Sequence, residues 1–460
     1  MSRVHEARGR FPPDGDVSSD RHRRVPSPAL LLAALLLWVL AAGWTAMIWV
    51  SWISLYARES GPRLPDGSPY GRDFLQFFYV ANAWRTGTVD QLYDPAAQMA
   101  VFHELGLGSG AWRLTLRYNY PPFFAWLPRL LSGLDYRTAY VVWLALQAGF
   151  LMLAIAAWWC EFAERRALFW PLLALVAVSP FLPLNLMIGQ TAFIGLAAFS
   201  WACRFLRSGR DLAAGLCIAL LLYKPPLGVV IGPLLLVKRR WRTVAGVAIG
   251  GAGLLAASLL VSPRALVEYP SSVRTLSMVA AEQPEFYRLH YNALAFVTLL
   301  IDGALPHCLG RLVGLTRGAQ AATESCSLAS LGLLMALVVA TLVALSAAWR
   351  GHWRVDDGRG GTVMNARLAT LVLATLLLSP YLFFYDTVLV LVAAVYTLRT
   401  LPDRPTSHAW LMLVFTAVAL LGVGGLIETL NLLWFRVQPV PLAFFGWLCL
   451  EATFAAGQAK

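Results

Sequence analysis

Gly71-Arg72-Asp73-Phe74-Leu75-Gln76-Phe77-Phe78-Tyr79-Val80-Ala81-Asn82-Ala83-Trp84-Arg85-Thr86-Gly87 puts a carboxylate at the mouth of an amphipathic helix, in a polar stretch shortly after the first long apolar run. Phe74, Phe77, Phe78 and Ala81 recur at i, i+3, i+4 and i+7, the spacing of one buried helical face. Asp73, with Gln76 three residues on, reads as a capping pair, and Gly87 as the stop. Asp73 therefore has two readings. It is an N-cap, for which Asp is among the preferred residues, or it is a carboxylate held at a surface for chemistry.

The surroundings are those of a membrane protein. Of 460 residues, 58% are hydrophobic and only 13% charged, with a mean hydropathy of +0.62. Soluble domains average about 25% charged residues, so an all-α polytopic membrane protein is expected. The net charge of +12 is no nucleic-acid footprint, because the basic residues sit between apolar runs, the positive-inside pattern. Basic positions are nearly all Arg, which with the abundant Ala, Leu and Gly points to a GC-rich bacterial genome. Cys160, Cys203, Cys217, Cys308, Cys326 and Cys449 show no CxxC spacing and read as small core residues. His103, His307, His352 and His408 lack metal-ligand spacing, so neither metal nor cofactor is expected. No phosphate-binding loop, nucleophile elbow or dinucleotide fingerprint stands in a convincing context.

Residues 1–28, Arg- and Pro-rich, read as a disordered cytoplasmic tail, and residues 29–457 as one membrane domain. Pro28 to Ile53 is the first expected span, with the N-terminus inside. An outer loop of about 54–137 follows, too polar to cross but rich in aromatics such as Trp84, Trp112 and Trp126, as suits a folded layer at headgroup depth. Further spans are expected near 138–160, 168–186, 190–206, 211–223, 227–237, 243–262, 326–348, 367–383, 386–399, 408–427 and 440–457, about 12 in all. This count keeps Arg165/Arg166, Arg204/Arg207/Arg210, Lys238 to Arg242, Arg350/Arg354/Arg359 and Arg399/Arg404 on the cytoplasmic side. It requires a break at Lys224-Pro225-Pro226, where crossing twice and re-entry both keep the parity. A second outer segment, about 263–325, opens with a loop to residue 293, and residues 294–304 are read as interfacial or re-entrant.

Polar groups then gather on the outer side. Lys224, flanked by Leu221, Leu222, Tyr223 and two prolines, is an ionisable group at hydrocarbon depth, a functional position by default unless it snorkels. As a lone ammonium it suits a lipid phosphate. Asp386 follows Ser379-Pro380 and starts the last helix of that group, as an N-cap or a site residue. Tyr120, before Pro121-Pro122, is an aromatic elbow or a substrate-facing ring. Gln190, His290, Tyr291 and Asn292 could hydrogen-bond a polyol.

Together these landmarks resemble glycosyltransferase family 87, the polyprenyl-phosphate-mannose-dependent mannosyltransferases of the C-type glycosyltransferase superfamily. Asp73-Phe74 with Tyr79, Leu92-Tyr93-Asp94, Tyr120-Pro121-Pro122, Gly189-Gln190, Lys224-Pro225-Pro226 and Ser379-Pro380 near Tyr385-Asp386 carry the resemblance, in the family's order. Tyr291-Asn292-Ala293-Leu294 departs from the family's Asn-Gln-Ser-like element, and Tyr381 and Tyr385 stand near a place usually holding Trp or His. The resemblance implies a C-type bundle with a structured first outer loop in a bacterial inner membrane, and an active site on its outer face. It implies a lipid-linked sugar donor, a glycolipid or glycan acceptor, membrane lipids as partners and no nucleic acid. A hexose, mannose-like, would move with inversion. Asp73 would be the base and Lys224 the donor-phosphate ligand, with Arg72, Tyr120, Gln190, His290, Asn292, Tyr385 and Asp386 binding substrate. A transporter or lipid flippase without transferase activity is the alternative, and a non-catalytic assembly factor a further one.

Overall fold

The computed structural model describes residues 28–58, 69, 71–107, 117–281, 297, 328–349, 359–379 and 383–400. Among these residues the chain is helical and forms no strand. The expected tail, His290, Asn292, the 294–304 segment apart from Val297, and the spans near 408–427 and 440–457 lie outside the described residues.

Helix α1 (Pro28–Arg58) is followed by a layer of short elements, which holds α2 (Leu75–Thr86) and α3 (Pro95–Glu104) among short 3-10 turns. Gly87 closes α2 in the left-handed region (φ 71°), returning its N–H to Ala83 and Trp84, as the sequence predicts. Then come α4 (Tyr136–Glu161), α5 (Arg166–Val178), α6 (Phe181–Ile188), α7 (Ala192–Arg207), α8 (Asp211–Leu220), α9 (Ile231–Val237) and α10 (Trp241–Val261). After them stand α11 (Pro263–Ala281), α12 (Leu328–Ala348), α13 (Arg359–Leu378) and α14 (Val390–Thr400).

Within α1, α4 and α10, the stretches Leu35–Ala57, Tyr136–Glu161 and Trp241–Val261 are long and apolar enough to cross a bilayer. They display exposed Leu35, Val39, Met152, Ile249 and Leu260 on their outer surfaces. Apolar side chains in that density belong against hydrocarbon. The expected span near 168–186 is instead two helices, α5 and α6, bent by 48°. Ser179 precedes Pro180, which pushes it out of the helical region to ψ 125°. Lys224 obeys the same rule before Pro225 (φ −128°, ψ 85°), so the predicted break between α8 and α9 is present.

Two boundaries differ from expectation. The segment from residue 263, read as a loop, is the helix α11. Ser262 caps it by accepting from the Ala265 N–H (3.0 Å), and Pro263 fits a first turn whose N–H would be unused anyway. Pro270 in its interior hides the helix from a pattern reading. The span expected from 367 begins at Arg359, and that expected from Asp386 begins as a 3-10 turn, Phe384–Leu389.

Helix α4 runs about 39 Å over its 26 residues. At its C-terminal end, Glu161 meets Arg204 and Arg207 of α7 and Arg399 of α14, and beside them Arg240 pairs with Asp211. At its N-terminal end, Tyr136, Tyr140 and Trp143 pack against the Asp73 turn. Among the described residues, this cluster of Arg204, Arg207, Arg240 and Arg399 and the Asp73 turn thus occupy opposite ends of the bundle.

Candidate active site

Asp73 does not cap α2. It lies inside the 3-10 turn Arg72–Phe74, which starts at Gly71 in the left-handed region (φ 60°), and neither Gly71 nor Phe74 offers a side-chain cap. A cap residue keeps extended backbone while its side chain takes an N2 or N3 amide. Gly71 turns the chain too early for Asp73 to do so. The carboxylate accepts instead from the Gln190 side-chain amide, 117 residues away.

The aromatic face predicted for α2 holds that turn in place. Phe74 is fully buried among Tyr136, Tyr140 and Trp143, with ring centroids 5.3–6.1 Å away. Phe77 stacks on Trp143 at 4.5 Å and meets Tyr120 at 5.2 Å. The same face of α4 grips the end of α6: Tyr140 Oη donates to the Leu186 carbonyl (2.7 Å) and Trp143 Nε1 to that of Gly189 (2.8 Å). Gly189 ends α6 at φ 73°, and a Cβ there would fall 2.5 Å from Phe74 Cβ. Only glycine tolerates both demands. Gln190 follows directly and is thereby delivered to Asp73.

Its orientation is set from the other side. Gln190 Oε1 accepts from the Thr191 backbone N–H (3.2 Å) and from Tyr120 Oη (3.2 Å). A backbone N–H can only donate, so this fixes which amide atom is oxygen and turns Nε2 toward Asp73. Tyr120 is 4% exposed, shares a 3.0 Å contact with Thr191 Oγ1 and stacks on Phe124. It reaches Asp73 through Gln190.

Lys224 is not a lone ammonium. Its Nζ lies 2.6 Å from Asp386 Oδ1 and 4.6 Å from the Tyr385 ring centroid, with the Lys224 side chain 15% exposed and that of Asp386 2%. Asp386 is not an N-cap either. It occupies the third position of the turn Phe384–Leu389 and accepts from the Phe383 N–H (3.4 Å). Asn185 of α6 holds the Tyr385 carbonyl through Nδ2 (3.0 Å), which ties this turn to the helix that carries Gln190. Three segments distant in sequence therefore converge: the Asp73 turn, the α6–α7 junction, and the Lys224–Asp386 pair.

Burial pushes the Asp73 carboxyl above the usual carboxylate range. The Gln190 hydrogen bond and the charges of Arg72 and Lys224 oppose that shift without cancelling it. Arg72 itself is exposed on the same turn. Sequence reading missed Tyr140, Trp143 and Thr191, which position the site. The spacing Tyr136, Tyr140, Trp143 is a helical aromatic stripe and was the available signal.

No curated protein and no solved structure matches the chain. The model of Glycosyltransferase family 87 matches residues 118–380, more than half of the chain, and that stretch contains Tyr120, Gln190 and Lys224. Several apolar helices accompany the match, and a transporter or assembly factor without transferase activity does not fit it. The chain is a membrane glycosyltransferase belonging to glycosyltransferase family 87.

Proposed function

We propose that this enzyme transfers a hexose, mannose-like, from a polyprenyl-phosphate donor to a glycolipid or glycan acceptor at the outer face of a bacterial inner membrane, with inversion. The observation that carries the reading is the convergence of a basic carboxylate, Asp73, with a cation at a break between apolar helices, Lys224. Inverting transfer needs both, one on each side of the anomeric carbon.

In this reading the acceptor O–H gives its proton to Asp73 as its oxygen attacks the anomeric carbon. The bond from that carbon to the phosphate oxygen breaks, and its electron pair leaves with the polyprenyl phosphate. Gln190 orients the carboxylate, and Tyr120 and Thr191 orient Gln190. Lys224 faces the charge that grows on the departing phosphate. An ammonium has three N–H donors, so one can stay on Asp386 while another meets the phosphate. Asp386 and Tyr385 thus position Lys224, and Arg72 adds positive charge near the entrance. His290 and Asn292 remain candidate acceptor contacts.

The test is transfer by purified protein from radiolabelled polyprenyl-phosphate mannose to a membrane glycolipid extract. Proton NMR of the product then reports the anomeric configuration. The expected result is a labelled glycolipid with the configuration opposite to that of the donor. Retention, or transfer only from a nucleotide sugar, contradicts the proposal.

A further inference from the structure

The layer of short elements carries a second concavity that this chemistry does not use. It lies between α3 and α11, has a volume of about 360 Å³, and is walled by Tyr93, Arg117, Asn119, Glu268, Ser271 and Thr275 among others. Small-ligand sites occupy roughly 300–1,000 Å³, so it can hold one or a few sugar rings.

Its lining fits a neutral saccharide. Tyr93 lines the cleft and is held by the rings of Tyr118 (5.9 Å) and Tyr269 (5.8 Å) behind it. Around Tyr93 lie groups suited to a rim of hydroxyls. Ser271, Ser272 and Thr275 line the cleft and donate to the carbonyls of Glu268 (2.7 Å), Tyr269 (2.8 Å) and Ser271 (3.0 Å), which leaves their oxygens able to accept. Asn119 both donates and accepts. The lining also holds one guanidinium, Arg117, and one carboxylate, Glu268, the latter engaged by Arg264 at 2.7 Å.

The cleft is coupled to the site by covalent chain. Tyr93 Oη donates to the Tyr120 carbonyl (2.7 Å), while buried Gln98 accepts from the Tyr118 N–H (3.2 Å) and donates to the Leu92 carbonyl (3.1 Å). Tyr118 and Asn119 wall the cleft, and Tyr120, next in sequence, holds Gln190.

We infer that the α3–α11 cleft binds a neutral hexose oligosaccharide, the part of the acceptor remote from its reacting hydroxyl. The inference rests on the transferase reading only for the word acceptor; the binding itself can be measured without transfer. Full-length protein in detergent micelles is probed by saturation-transfer NMR with neutral trisaccharides of mannose, glucose and galactose. At least one should bind. Ser271→Trp, on an exposed helix position that fills the cleft, should weaken binding more than tenfold. Asn119→Ala should weaken it about fivefold, the loss of a neutral hydrogen-bonding group. If Ser271→Trp lowers the melting temperature, Thr275→Trp supplies the same blockade. Failure of all three trisaccharides to bind, or binding that survives both the Trp blockade and Asn119→Ala, overturns the inference. A protein that transfers sugar yet gives that result sinks the cleft alone. Cleft binding without any transfer sinks the transferase reading alone.

Discussion

At the C-terminal end of α4, Glu161, its side chain 2% exposed, meets Arg204 and Arg207 at 3.2 Å and Arg399 at 3.5 Å, and Arg207 also donates to Asn365 (2.9 Å). At the N-terminal end, Asp73 has a neutral amide as its hydrogen-bond partner, and the nearest lysine is engaged by Asp386. Both ends hold a carboxylate away from water, yet the first is surrounded by cations and the second is spared direct contact with one. A carboxylate in contact with several guanidinium groups has its oxygens spent on ion pairs. A desolvated one with a single amide donor stays ionisable and accepts a proton more readily. The difference separates a latch from the proposed base: Glu161 ties α4, α7 and α14 together, while Asp73 is left free of ion pairs for the role proposed for it. The Lys224–Asp386 pair contributes to this by keeping the ammonium off Asp73.

The comparison breaks first at the latch. Glu161→Gln leaves three guanidinium groups facing a neutral amide, and removing one partner of a buried ion pair costs about 3–5 kcal/mol. Thermal unfolding in detergent should show that loss, with transfer per folded molecule retained. Intact melting with lost transfer would mean that this end of the molecule takes part in the chemistry.

Lys224→Met sharpens the other end. A hydrogen bond to a charged group is worth roughly 1.5–3 kcal/mol, so transfer should fall about ten- to hundredfold, and Lys224→Arg should keep part of it. The Met variant also strands Asp386, and Lys224→Met with Asp386→Asn should recover stability but not transfer. Recovery of transfer in the double variant would assign Lys224 a purely structural role.

The smallest effect is a shift in pH dependence. The Gln190 hydrogen bond lowers the Asp73 pKa against the larger effect of burial. Gln190→Met removes it, so the carboxyl should titrate higher still. A base works when deprotonated, so the acid limb of kcat/KM should move to higher pH. Movement to lower pH, or none, would detach Gln190 from the base.

Local features were the legible ones. The Phe74/Phe77/Phe78/Ala81 face, the Gly87 stop and the break at Lys224-Pro225-Pro226 depend on neighbours in sequence, and all stand in the structure. What could not be read was pairing at a distance. Gln190 meets Asp73 across 117 residues and Lys224 meets Asp386 across 162, so no local pattern distinguishes a paired ammonium from a lone one. Asp73 and Gln76 matched a capping pair because the left-handed turn at Gly71 leaves no mark beyond the glycine itself. The α11 helix was masked by Pro270, although Ser262-Pro263 marks its start.

Asp73→Asn separates base from scaffold most directly. The folded carboxyl titrates above its usual range, so the protonated form favours the folded state. That stability is present below the unfolded pKa and is lost as pH rises through the folded one. Asn carries no charge to desolvate and keeps an oxygen for the Gln190 amide, so melting should be unchanged or higher. Asn cannot take a proton from a sugar hydroxyl, so transfer should fall roughly 10²–10⁴-fold. Transfer rate and melting temperature of Asp73→Asn, measured on the same preparation, decide between the two roles. Lost transfer with undiminished melting is the predicted result, and near-normal transfer would contradict the assignment of Asp73 as the base.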